Sequence, residues 1–218
     1  MIRAVIFDMD GLMLDTEQLS KEAWDQIGID RGVGPFGHLI VHLIGRNRAD
    51  NEAFFRERFG DRLTFDTILE LKEQYFQKTF AEKGVPVKKG LFELLNWLKD
   101  QGIPAAVATS TEEATARAEL AQAGILPYMD RLVFGNMVPH GKPAPDIFLL
   151  AAEQLGVSPE CCMVLEDSPS GIRAAHAAGM VPVMVPDLVQ PDEALRALLH
   201  TQVESLDQVP ALIAELNR

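Results

Sequence analysis

The chain opens on an unbroken apolar run, Ala4-Val5-Ile6-Phe7, that stops at Asp8. A short β-branched and aromatic run bounded this way predicts a strand buried on both faces. From Leu19 through Ala23, Trp24 and Ile27 the apolar spacing becomes helical, and a turn-rich break covers Gly28 to Gly37. Apolar positions resume at Leu39, Ile40 and Leu43 before Gly45-Arg46-Asn47-Arg48 interrupts them. Phe54, Phe55 and Phe59 predict one further helix, and Ile68, Leu71, Tyr75, Phe76 and Phe80 another. No strand is expected in 16–83. Beyond Gly84-Val85-Pro86, helix and strand alternate. Leu91, Leu94, Leu95 and Leu98 line one helical face, closed by Gly102 and Pro104. Strands are expected at 105–108, 132–134, 162–165 and 181–185, with helices between them and two helices closing the chain.

Strands separated by helices predict an α/β fold: a Rossmann-like, doubly wound, mostly parallel sheet with helices on both faces. Residues 1–15 and 84–218 form that core, and residues 16–83 read as an inserted helical domain with its own small core. No internal repeat or low-complexity stretch is visible.

Composition narrows the class of protein. The chain has 218 residues, 47% of them hydrophobic, which is ample material for a core. A formal charge of −12 is the wrong sign for a protein that grips nucleic-acid backbone, so no nucleic-acid partner is expected. An anionic small substrate remains compatible, provided its positive contacts are local. Cys161 and Cys162 are adjacent in an apolar run, which offers neither a disulfide framework nor zinc spacing and predicts free thiols in a reducing compartment. The acidic pair Asp8 and Asp10 comes too early for a signal peptide, and no apolar run reaches membrane-spanning length. The expectation is a cytoplasmic protein without a membrane partner, monomeric by default.

The chemistry sits where strands end. Asp8 and Asp10 follow the first strand, Thr109 and Ser110 the second, Lys142 lies in the loop after the third, and Glu166 and Asp167 follow the fourth. Parallel strands end on one side of the sheet, which is where such folds bind ligands. Carboxylates, a hydroxyl, an ammonium group and helix-start amides together are the parts of a phosphoryl-transfer site. Each has a simpler reading alone: Ser110 and Glu113 have capping-box spacing, Ser168-Pro169 is an ordinary helix start, and Lys142 could be a solvated loop residue.

Asp8-x-Asp10-Gly11, Thr109-Ser110, Gly141-Lys142-Pro143-x-Pro145-Asp146 and Glu166-Asp167-Ser168-x-x-Gly171 resemble, in order, the four motifs of the haloacid dehalogenase-like hydrolase superfamily. The similarity spans essentially the whole chain. It is strongest to the branch with a helical cap after the first motif, which includes small-molecule phosphatases and beta-phosphoglucomutase. The resemblance implies that Asp8 attacks phosphorus and becomes an aspartyl phosphate. It implies that Asp10 protonates the leaving alcohol and then deprotonates the attacking water. Mg²⁺ would lie between Asp8, the Asp10 backbone carbonyl and Asp167, with Glu166 a further carboxylate at the metal. The Thr109 hydroxyl and backbone N–H groups near Gly11 and Ser110 would bind the phosphate, and Lys142 would neutralise it. The cap would close over the site and choose the leaving group.

The expected activity is therefore Mg²⁺-dependent hydrolysis of a small phosphorylated metabolite, a sugar phosphate or nucleoside monophosphate. A hexose-phosphate mutase is the alternative. Gly45-x-x-Arg48 resembles the mutase cap loop, in which an arginine holds the substrate's other phosphate, and makes Arg48 a candidate substrate contact. Ser20, however, stands where beta-phosphoglucomutase has a histidine linked to its general acid. Asp10 disfavours a dehalogenase, which has no use for the second aspartate. A phospho-accepting receiver module has its phosphorylated Asp after the third strand, where this chain has Gly135-Asn136. His38 and His42 have i, i+4 spacing but no adjacent Glu of a zinc-protease motif, and His140 and His176 have no evident partner. The phenylalanines of 54–80 read as cap core and Arg46 as surface charge.

Overall fold

In the computed structural model, which describes residues 1–43 and 48–218, Ala4, Val5, Ile6 and Phe7 are fully buried and form β1 (Ala4–Phe7). The other strands are β2 (Ala105–Thr109), β3 (Arg131–Phe134), β4 (Cys162–Glu166), β5 (Val181–Met184) and β6 (Thr201–Gln202). They form one six-stranded parallel sheet in the order β3-β2-β1-β4-β5-β6. Val5 stands opposite Ala105 on one side and Met163 on the other. The five strands expected from apolar runs are all present. β6 was not expected, because two residues with half-buried and exposed side chains carry no apolar run.

The helices are α1 (Thr16–Asp30), α2 (Arg48–Phe59), α3 (Phe65–Lys83), α4 (Leu91–Gln101), α5 (Glu113–Gln122), α6 (Asp146–Leu155), α7 (Pro169–Ala177), α8 (Glu193–Arg196) and α9 (Val209–Leu216). On one sheet face, Ala4, Ile6, Ala106, Ala108 and Val164 pack with Ile147, Phe148 and Ala151 of α6 and with Ala174 and Ala175 of α7. The many alanines let these helices lie close to the sheet at the density of a packed interior. Among the described residues no helix is long and apolar enough to cross a membrane.

The chain divides into two compact units, Met1–Asp15 with Val87–Arg218, and Thr16–Pro86. The second unit is helical and has an aromatic core. Trp24 meets Phe55 edge-on at 5.5 Å between centroids, Phe36 lies 5.1 Å from Phe59, and Phe55 is fully buried. α1 runs through Gly28 into what reads as a break. A Cβ at Gly28 would stand 2.0 Å from the Gly34 carbonyl oxygen, so glycine is there for a close backbone approach and not to end the helix. α3 starts on Thr64, whose hydroxyl accepts the Thr67 N–H, and stops at Gly84 with φ 78°.

The two chain segments that flank the helical unit are tied together inside the first unit. Leu14 bridges Val87, and the Lys88 N–H donates to the Met13 carbonyl at 2.9 Å. The Lys88 ammonium lies 2.9 Å from Asp187 and 3.3 Å from Asp15. Burial works against its charge, but the hydrogen bond and charge of Asp187, then those of Asp15, outweigh that and hold its pKa above the ordinary value. The second Asp187 oxygen is buried without a hydrogen-bond partner. Lys88→Met is therefore expected to lower the urea midpoint, with a loss of about 1–2 kcal/mol. That is below the ~3–5 kcal/mol for breaking a fully buried pair, because some solvent screens this one. A raised lysine pKa gives stability that is complete below the unfolded value and lost only as pH rises through the folded one. The deficit should accordingly be constant between about pH 6 and pH 8. An unchanged midpoint would mean that the cluster contributes nothing.

Candidate active site

Asp8 directly continues β1, its N–H donating to the Leu165 carbonyl at 3.0 Å. Because Phe7 is opposite Leu165, Asp8 emerges beside Glu166, the last residue of β4, and Asp167 after it. One carboxylate oxygen of each of these three residues lies within 4.8 Å of the other two. The sheet register alone thus gathers three acids at the carboxyl edge.

The loop after β3 brings in Lys142. Its ammonium donates to Asp8, to Glu166 Oε1 at 2.7 Å and to the Ala108 carbonyl at 3.1 Å, and it stands 4.9 Å from the centre of the Phe148 ring. Its side chain is only 6% exposed, so it is not a solvated loop lysine. All three of its protons have acceptors. Burial works against its charge, yet Asp8 and Glu166 outweigh burial and keep it protonated. Burial is also the largest influence on Asp8 and pushes its carboxyl up to about 8; Lys142 opposes this, while Glu166 and Asp10 add to it.

Glu166 is fixed from two further sides. Its Oε2 accepts the Ser168 N–H at 2.8 Å, and Gly171 of α7 packs directly on it. Ser168 caps α7, its hydroxyl accepting the Gly171 N–H at 3.0 Å, with Pro169 the first helical residue. The motif thus serves the helix start and the site at once.

Asp10 sits in a tight turn closed by Met13 N–H and Leu14 N–H on the Met9 carbonyl. Gly11 has φ 79°, a conformation glycine adopts without strain. Its N–H donates to the Leu14 carbonyl at 2.9 Å. Thr109 is buried at the end of β2 and Ser110 is exposed. The capping-box spacing of Ser110 and Glu113 is not used: α5 is capped by Glu112, which accepts the N–H groups of Ala114 and Thr115.

One site contact was not anticipated. The Thr111 hydroxyl donates to Asp10 Oδ2 at 2.6 Å, and the Thr111 N–H donates to Thr109 Oγ1 at 3.0 Å. The run Thr109-Ser110-Thr111 held a third hydroxyl at a strand end, which was the available signal.

His38 and His42 are exposed on a short 3₁₀ turn, Gly37–His42, and among the described residues neither belongs to a group of three potential metal ligands. His140 pairs with Asp146 at 3.0 Å on the surface, and His176 is exposed in the last turn of α7. Ser20 is buried on α1. Gly45, Arg46 and the Arg48 side chain lie outside the described residues.

The cluster suits a hard divalent cation. Its donors are carboxylate oxygens, and three acids crowd one ammonium in a buried setting, an excess of negative charge that such a cation offsets.

Residues 2–179 match the family model for haloacid dehalogenase-like hydrolases. A phosphorylated carbohydrates phosphatase of Thermotoga maritima is 34% identical over 179 residues, which is 82% of this chain and 82% of that protein. A fructose-1-phosphate phosphatase of Escherichia coli K12 is 35% identical over 188 residues, 81% of this chain and 92% of that one. Among solved structures, a beta-phosphoglucomutase of Clostridium difficile matches with a TM-score of 0.74 and 25% identity, covering 100% of this chain and 98% of that chain.

Proposed function

The chain belongs to the haloacid dehalogenase-like hydrolases, and from that premise we propose that it is a Mg²⁺-dependent phosphatase of a small phosphorylated metabolite. The observation that carries this reading is the buried Asp8 carboxylate, held by Lys142 beside Glu166 and Asp167. Sugar phosphates head the candidate substrates, since two relatives are named for phosphorylated carbohydrates and fructose 1-phosphate, with nucleoside monophosphates next.

In this reading Asp8 attacks phosphorus while the bond to the leaving oxygen breaks, and Asp10 gives that oxygen its proton. Asp10, now ionised, takes a proton from water as the water attacks the aspartyl phosphate. Phosphate leaves, and Asp8 and Asp10 return to their starting states. Lys142 holds the Asp8 carboxylate and neutralises charge on the transferring group. Thr109, with the Ser110 amide, donates to the phosphate oxygens. Asp8, Asp167 and the Asp10 carbonyl would hold Mg²⁺, with Glu166 acting directly or through water; the ion offsets repulsion between nucleophile and phosphate.

The test is phosphate release from a panel of sugar phosphates and nucleotides, with Mg²⁺ and with EDTA. Release is expected with Mg²⁺, is lost on chelation and returns when Mg²⁺ is restored. Release indifferent to EDTA would overturn the metal assignment. Similarity to a solved beta-phosphoglucomutase favours one second reading. Isomerisation of glucose 1-phosphate without net phosphate release would establish it in place of hydrolysis.

A further inference from the structure

We propose that Thr111 is a positioning residue that sets the Asp10 carboxylate for proton transfer and couples it to the phosphate-binding hydroxyl of Thr109. The backbone around Asp10 is already fixed by its turn: Asp10 bridges Leu14, and the Gly11, Met13 and Leu14 N–H groups are bonded within 9–14. The freedom left at Asp10 is rotation of its side chain. Thr111 acts on that freedom from across the site, through a 2.6 Å hydrogen bond to Oδ2 that spans 101 positions of sequence. The length lies in the range of O–H···O hydrogen bonds, about 2.5–3.0 Å. Fixing one oxygen fixes the plane of the group, and with it the direction of the other oxygen.

Thr111 has a second contact, and it points to the phosphate. Its N–H donates to Thr109 Oγ1 at 3.0 Å. With a lone pair of Thr109 engaged by that N–H, the hydroxyl's own proton is left to donate to another acceptor, the role proposed for it toward phosphate. One residue therefore sets both the acid–base group and a phosphate ligand. Nothing in secondary structure calls for this arrangement: Thr111 lies in the bend between β2 and α5, and α5 is capped by Glu112.

The inference rests on the reading of Asp10 as the acid–base group, and leaving-group chemistry separates the two. A sugar alkoxide leaves only with a proton, whereas p-nitrophenolate leaves without one, so kcat/KM on p-nitrophenyl phosphate is blind to the general acid. Thr111→Val, Thr111→Ala, Thr111→Ser and Asp10→Asn would be assayed on p-nitrophenyl phosphate and on the sugar phosphate turned over best, fructose 1-phosphate being the first probe. General acid–base catalysis is worth about 10²–10⁴-fold, and misplacing the group forfeits part of that. Thr111→Val and Thr111→Ala are expected to lose about 10–100-fold in kcat/KM on the sugar phosphate, chiefly in kcat. Each variant keeps the backbone N–H on Thr109 Oγ1, so on p-nitrophenyl phosphate they should lose less than about threefold, and Thr111→Ser should restore most of the sugar-phosphate loss. Equal losses on both substrates would mean a merely structural role and would overturn the proposal. So would unimpaired sugar-phosphate turnover by Thr111→Val while Asp10→Asn is inactive. If Asp10→Asn itself keeps full activity on the sugar phosphate, the acid–base reading of Asp10 fails first.

Discussion

Asp8→Asn is expected to lower phosphate release about 10⁴-fold or more while leaving the fold intact, and even more stable. The carboxamide cannot attack phosphorus, so hydrolysis stops before the covalent intermediate forms. The fold should survive because Lys142 keeps Glu166 at 2.7 Å and the Ala108 carbonyl at 3.1 Å. The gain in stability follows from the sign of the Asp8 shift. Its carboxyl is raised to about 8 from an ordinary 3.8, foremost by burial, so at any pH above the ordinary value the unfolded chain holds the charge more easily than the folded one. An amide, neutral at every pH, removes that cost. The urea midpoint of Asp8→Asn, measured in EDTA near neutral pH, is expected to rise, and trapping with hydroxylamine should find an acyl phosphate only in the wild type. Wild-type rates of release from Asp8→Asn would remove Asp8 as nucleophile. A fallen midpoint would show that Asp8 supports the fold more than it strains it.

Gly171→Ala should damage both the fold and the site, although it adds one methyl group far in sequence from the nucleophile. A Cβ at 171 would stand 1.6 Å from Glu166 Oε1 and 1.9 Å from its carboxyl carbon. Glu166 is 1% exposed and cannot swing into solvent without leaving both Lys142 and the Ser168 N–H. Overpacking costs about 1–3 kcal/mol, and stranding part of a buried charge network adds to it, so a loss of about 2–4 kcal/mol is expected. Displacing Lys142 should reduce kcat/KM about 100-fold, the scale of a lost electrostatic donor. The sign is diagnostic. In a helix, alanine is favoured over glycine by about 1 kcal/mol, so if Gly171 mattered only for local propensity the variant would be more stable than wild type. A raised urea midpoint would thus refute the packing argument.

The parts of the molecule that read directly from sequence are those whose cause is local. β1 and β4 are apolar runs ended by acids, and their order along the chain already placed Asp8 and Glu166 at strand ends. α3 could be read because its apolar spacing ends at a glycine. Features whose cause lies far away were not legible. The Thr111–Asp10 hydrogen bond depends on β2 lying next to β1, and the Lys88 cluster on β5 ending near the segments at Asp15 and Val87. Gly28 resembled a break because a glycine required by a distant backbone has the same letter as one that ends a helix. At α5, Ser110 with Glu113 matched a capping motif, but Glu112 sits one residue before the helix and prevailed. Lys142 shows the converse: a lone loop lysine is ordinarily solvated, and only the four motifs taken together pointed to its burial.

The sheet order also sets a timetable for synthesis. β1 is made first, yet it is the strand between β2 and β4, with Val5 seated against Ala105 and Met163. At roughly 5–20 residues per second, its second neighbour leaves the ribosome on the order of ten seconds after it. Until then an apolar strand has an unpaired edge, the kind of surface that templates association between chains. The nascent protein is therefore most exposed to aggregation before β4 emerges, and the pairing that completes β1 is the same one that brings Asp8 beside Glu166.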